Sequence, residues 1–253
     1  MINRRTTLGL IAATSLMPGK LLAGPVKEPE FLQKLIDEKT LPPMAERLPK
    51  NPLVVNLASM GREVGQYGGV VRQLISGQRD IRLMTINGYA RLVGYDETLA
   101  FKPDVLESCE VEGERTFTLR IREGHKWSDG SLFTAEDFRY CWEDVWLNED
   151  LSSGGLSRAL LVDGKPPVFE VVDDLTVRYT WHAPNPDFLP SLASAQALGI
   201  VLPAAYMKQF HEKYQEPDKL EELIKENKAK KWTTLHIRMS RQYRPENPDL
   251  PTF

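Results

Sequence analysis

Cysteine is scarce in this chain: two residues, Cys109 and Cys141, among 253. They fall in different expected elements, a strand and a helix, so both are expected as buried free thiols and not as a bridge. There is no Cys-x-x-Cys pair, and the four histidines, at 125, 182, 211 and 236, share no metal-ligand spacing, so neither a metal nor a cofactor is expected. Each histidine reads as a surface or strand-end residue. An excess of one charge is also missing: 32 bases stand against 35 acids, which leaves no electrostatic footprint for nucleic acid. Long apolar runs are missing too. The stretch Leu8 to Met17 is about half of the ~20 residues a spanning helix needs. Catalytic signatures are absent as well, with no Gly-x-Gly-x-x-Gly, no phosphate loop and no His-Glu-x-x-His. Gly155-Leu156-Ser157-Arg158-Ala159 half resembles a nucleophile elbow, but it lacks the last glycine and follows no clear strand, so it reads as a polar loop. Glu110 and Glu112 share one strand face, where like charges repel, and read as exposed.

What is present is an ordinary globular composition, 42% hydrophobic and 26% charged. The start, Asn3-Arg4-Arg5-Thr6-Thr7, is basic and acid-free, and it is followed by the short apolar run and then Pro18-Gly19 and Leu21-Leu22-Ala23. That order of basic, apolar and small residues is the pattern of an export signal over residues 1–23, with cleavage expected after Ala23. The arginine pair leaves both the Sec and the twin-arginine routes open.

Beyond it, residues 24–52 read as an extended linker. Glu28 to Lys39 can form a short amphipathic helix there, and Pro42, Pro43, Pro49 and Pro52 break the chain. Leu53 to Leu57 and Val70 to Ile75 read as strands around a glycine-rich loop at Gly61 to Gly69. Asp80 can cap a helix to about Val93. Ser108 to Glu112 and Thr116 to Arg122 read as paired strands, with Phe117, Leu119 and Ile121 facing inward. Thr134 and Asp137 form a capping pair that opens a helix through Trp146. Strands at 168–173 and 175–181 follow, then short helices from Asp187 and Pro203, and a charged helix over 217–231 whose polar side reads as solvated.

From Phe101 the chain resembles a known family. Phe101 to Val111, then Thr116 to Gly130 with its Trp127-Ser128-Asp129-Gly130, then Phe133 to Phe138, follow the pattern of family 5 extracellular solute-binding proteins. These are the dipeptide, oligopeptide and nickel type receptors of ABC importers. Gln66 to Gly69 and Pro186 to Tyr214 extend the likeness from about residue 52 to the end, and Cys109 stands where the family usually has Trp.

The resemblance implies a mixed α/β (α+β) fold of the type II periplasmic binding protein kind. It divides the chain into a first-lobe start at 53–95, a small subdomain at 96–200 and a helical segment at 201–253 returning toward the first lobe. Family members run to twice this length, so a truncated first lobe with its inserted subdomain is expected, from a shortened gene or a fragment. The implied role is that of a monomeric periplasmic receptor that binds a peptide or similar small solute and hands it to permease subunits. The loop before the first-lobe helix faces the ligand in that family. By position it is Ser76, Gln78, Arg79 and Asp80 here, with Arg79 placed to pair a ligand carboxylate. The residues alone also allow Asp80 as a helix cap and Arg79 as a solvated charge. A secreted hydrolase and a non-binding remnant remain the rival readings.

Overall fold

The computed structural model describes residues 28–77, 80, 90–241, 247 and 249–252. Helix α1 (Glu30–Asp37) forms where the amphipathic pattern predicts it, and a one-turn helix α2 (Met44–Arg47) interrupts the expected linker. The chain then runs along the 122–126 loop. Lys50 N–H donates to the Glu123 carbonyl at 2.9 Å, and buried Arg122 donates to the Asn51 carbonyl at 2.9 Å.

Two expected strands do not form. Leu53 to Asn56 and Val70 to Ile75 carry no regular secondary structure and are exposed, with Leu74 fully in solvent, and Leu57 already turns into the 3-10 helix Ala58–Met60. A strand exists only with a partner to complete its hydrogen-bond ladder, and no described residue pairs with either segment. The expected helix from Asp80 lies over residues 81–89, outside the described residues, but its far end is not helical. Val93 begins strand β1 (Val93–Tyr95), which pairs antiparallel with β2 (Phe101–Pro103).

The central sheet holds β3 (Leu106–Glu112), β4 (Thr116–Ile121), β5 (Val168–Asp173) and β6 (Thr176–Thr180), all antiparallel, in the order β3-β4-β6-β5. Alternation along β4 and β6 sends Phe117, Leu119, Ile121, Val177 and Tyr179 to one buried face. Against that face pack Trp127, Phe133, Phe138, Trp142, Trp181 and Phe188. Edge-to-face pairs such as Phe117 with Trp181, at 5.6 Å and 89°, help to fill the space.

Helix α3 (Ala135–Arg139) opens at Thr134, whose N–H donates to Asp137 Oδ2 at 2.9 Å, as the capping pair predicts. The expected continuation through Trp146 winds as a π-helix over Tyr140–Trp146, and the Leu147 N–H reaches back to the Trp142 carbonyl at 3.0 Å. The wider turn places Trp142 in the sheet-side core and Tyr140 in a second core. Helices α4 (Phe188–Ala193) and α5 (Ala204–Met207) follow. The charged helix, α6 (Pro217–Glu226), ends sooner than the expected 231. Lys228 takes a left-handed φ of 50° and turns the chain into an unanticipated helix, α7 (Trp232–Met239). Tyr140, Met207, Phe210, Leu235, Met239 and Leu250 close the second core.

Candidate functional site

Of the four residues singled out as ligand-facing, the structure describes Ser76 and Asp80, while Gln78 and Arg79 lie outside the described residues. Asp80 Oδ2 accepts from the Ser76 amide at 2.9 Å, the Ser76 hydroxyl at 2.7 Å and the Gly77 amide at 3.1 Å. The Asp80 amide in turn donates to the Gly77 carbonyl at 2.9 Å. Asp80 thus spends one carboxylate oxygen on shaping its own loop, as an aspartate that turns the chain does. Ser76 and Gly77 stay exposed at the end of the unpaired 70–75 segment.

The polar chemistry that the sequence hid lies between the subdomain and the helices after it. His211 and His236, expected at the surface, are both buried, with ring centroids 5.7 Å apart. They are buried because the turn after α5 and helix α7 both fold onto Tyr140. Its hydroxyl lies 2.7 Å from His236 Nε2. His211 Nδ1 accepts from the Lys213 amide at 3.1 Å, and its Nε2 faces the Asp144 carbonyl at 3.0 Å. Burial, with His211 adding to it, lowers the His236 pKa to about 3. Burial also raises the Asp144 carboxyl, but bonds from Lys213 Nζ at 2.6 Å, Tyr214 OH at 2.6 Å and Arg139 Nη2 at 2.9 Å outweigh it and hold it below the usual range. Glu136, bonded by Arg139 and Lys208, falls to about 2. Three charged side chains on α3 and the π-helix, Glu136, Arg139 and Asp144, therefore grip two lysines and a tyrosine from residues 208–214, a tie that holds elements together.

The two thiols offer little nucleophilic character. Burial pushes both thiols up to about 12, and Cys141 is the more deeply enclosed, so each stays a protonated, inert side chain at neutral pH. Ser157 sits in extended backbone ahead of the 3-10 turn Arg158–Leu160, without the strand that an elbow requires. Among the described residues, no group of three or more His, Cys, Asp or Glu side chains is placed to hold a metal ion. Nor is any described helix long and apolar enough to cross a membrane.

Comparison with known proteins matches this architecture. The family model for bacterial extracellular solute-binding proteins, family 5 middle, matches residues 100–235. The periplasmic alpha-galactoside-binding protein of Rhizobium meliloti (strain 1021) is 30% identical over 182 residues, 63% of this chain and 26% of that protein. The periplasmic oligopeptide-binding protein OppA of Escherichia coli (strain K12) is 30% identical over 129 residues, 46% of this chain and 23% of that protein. A solved structure of an oligopeptide-binding protein OppA superposes with a TM-score of 0.77 at 30% identity, covering 90% of this chain and 35% of the other. The periplasmic binding protein MelB of Agrobacterium fabrum, in complex with stachyose, superposes at 0.64 and 25% identity, covering 91% of this chain and 35% of that one. The chain spans about a quarter to a third of the length of these relatives.

Proposed function

The chain belongs to the family 5 bacterial extracellular solute-binding proteins, and from that premise we propose that it serves as the periplasmic solute-binding component of an ABC importer. Its solute on this reading is a peptide or a similar small polar molecule, passed on to permease subunits by a monomeric receptor. The observation that carries the reading is the superposition on OppA, over 90% of the chain at a TM-score of 0.77. The chemistry agrees with capture without reaction, since a receptor that closes on its solute needs shape and hydrogen bonds and no activated nucleophile. Ser76, Gln78, Arg79 and Asp80 are the residues we place against the solute, with Arg79 toward a carboxylate.

A second solute class, an α-galactoside, is favoured by the name of the Rhizobium relative and by the stachyose bound to MelB. Deleting the encoding gene and measuring uptake of labelled oligopeptides and α-galactosides tests both. Loss of peptide uptake supports the main reading, and loss of galactoside uptake alone supports the second. Unchanged uptake of both overturns the importer role, and turnover of a peptide or ester by purified protein replaces it with a hydrolase. Export is checked separately: N-terminal sequencing of periplasmic protein is expected to begin near Gly24, and retained Met1 refutes the signal reading.

A further inference from the structure

A cavity of about 740 Å³ opens on the small subdomain, walled by residues 157–164 on one side and 187–198 on the other. Its volume lies in the range of small-molecule sites, roughly 300–1,000 Å³. Both walls are fixed from behind by bonds to buried or half-buried side chains. Trp181 Nε1 donates to the Leu160 carbonyl at 3.0 Å, and Asn185 Nδ2 donates to the Ala159 carbonyl at 2.9 Å. On the other wall, Arg91 Nε donates to the Ser194 carbonyl at 2.8 Å, and the Leu198 amide closes onto the Ser191 carbonyl at 2.9 Å. The first wall ends in a tight turn, with Asp163 and Gly164 at φ of 50° and 75°. The cavity is therefore shaped before anything enters it, which lowers the ordering cost of binding.

Of the three charged residues that line this space, Asp163 is taken up by His182, whose Nε2 lies 3.3 Å from its Oδ2, and the other two are unspent. Arg158 and Asp187 both line the cavity, and neither side chain makes a hydrogen bond or ion pair with a described residue. Ser157, Ser191 and Gln196 line it as well, and Leu161, Pro190 and Leu198 add an apolar strip. A guanidinium fork suits a carboxylate, and a carboxylate suits an ammonium group. No aromatic ring is among the lining residues, so a sugar ring would find no stacking platform there.

We propose that this cavity is a second solute site that takes a small zwitterion, a free amino acid or dipeptide, with the solute carboxylate on Arg158 and its ammonium group on Asp187. The site is open to water, where ion pairs are weak, so millimolar binding is expected. Solute uptake does not report on it, so it stands or falls apart from the transport reading.

The test is a ¹⁵N–¹H NMR titration of the whole chain with L-alanyl-L-alanine. N-acetyl-alanine amide serves as the uncharged control and maltose as the saccharide control. Saturable shifts confined to residues 157–164 and 187–198 are expected, with little response to either control. Arg158→Gln and Asp187→Asn should each weaken binding about tenfold and leave the remaining spectrum unchanged, because neither side chain holds the fold together. No saturable shift in these segments overturns the site. An equal response to the uncharged analogue, or full affinity in both variants, overturns the charge assignment.

Discussion

Asp137 accepts hydrogen bonds from three donors, two nearby in sequence and one 67 positions away. Its Oδ2 takes the Thr134 amide at 2.9 Å and the Trp127 indole at 3.2 Å, and its Oδ1 takes the Ala204 amide at 2.8 Å. Burial raises its pKa while these bonds oppose the rise, so the buried charge is costly by itself and tolerated because it is saturated with donors. Asp137→Ala strips acceptors from three donors, two of them at helix starts. A loss of roughly 3 kcal/mol in urea unfolding is expected, and a loss below about 1 kcal/mol would show the donors re-paired. The Thr134 cap was legible from its spacing, whereas the bond to Ala204 was not, because local pattern says nothing about a partner 67 positions away. The same holds for His236, whose own helix does not reveal that Tyr140 and His211 enclose it. Its pKa falls from 6.5 unfolded to about 3 folded. The unfolded chain thus binds the extra proton first as pH drops, and the stability His236 contributes is full above about pH 6.5 and fades toward pH 3. Urea midpoints should fall between pH 7 and pH 5, and His236→Gln should flatten that slope. An unaltered slope in the variant would move the effect to other groups.

Elements were most legible where the chain supplies its own partner. Strand β4 shows period-two alternation and lies between β3 and β6, bonded on both sides, so pattern and ladder agree. Val70 to Ile75 also carries β-formers, Val70, Val71 and Ile75, and yet has no ladder among the described residues, because propensity describes fitness for a sheet and not the presence of one. The break between α6 and α7 was hidden for a different reason: a charged run reads as continuous helix, and Lys228 carries no residue-type signal for its left-handed turn. Hydrogen exchange separates the two kinds of segment. None of the amides at 53–57 or 70–75 donates to a described residue, so they should exchange at nearly the rate of an unfolded chain. Amides of β4 and β6 should be slower by at least about a thousandfold, since they open only with the core. Protection at 70–75 comparable with β4 would mean that the segment finds a strand partner in solution.

For the whole molecule, two cores set what this stretch of chain does unaided. The sheet-side core and the Tyr140 core are built largely from residues after Leu92, while the ligand-facing positions proposed around Ser76 sit on exposed chain ahead of it. The family resemblance implies a solute enclosed between two lobes, and this chain overlays about a third of the OppA length. Contact energy grows with the share of the solute surface covered, whereas the loss of translational and rotational freedom is nearly complete at the first anchoring contact. A wall that supplies about half of the contacts therefore loses more than half of the net affinity, and each ~1.4 kcal/mol lost is a factor of ten. The 70–77 segment adds an ordering cost, because a loop with no ladder behind it must be fixed as the solute arrives. Calorimetry of the 24–253 polypeptide against a peptide library should accordingly give no dissociation constant at or below about 1 μM. That limit leaves room for millimolar binding in the Arg158 cavity, which the Arg158→Gln variant separates from any effect at Ser76. A micromolar or tighter peptide would show instead that residues already present here enclose a complete site, and Ser76→Ala and Asp80→Asn would then reveal whether it lies at the loop.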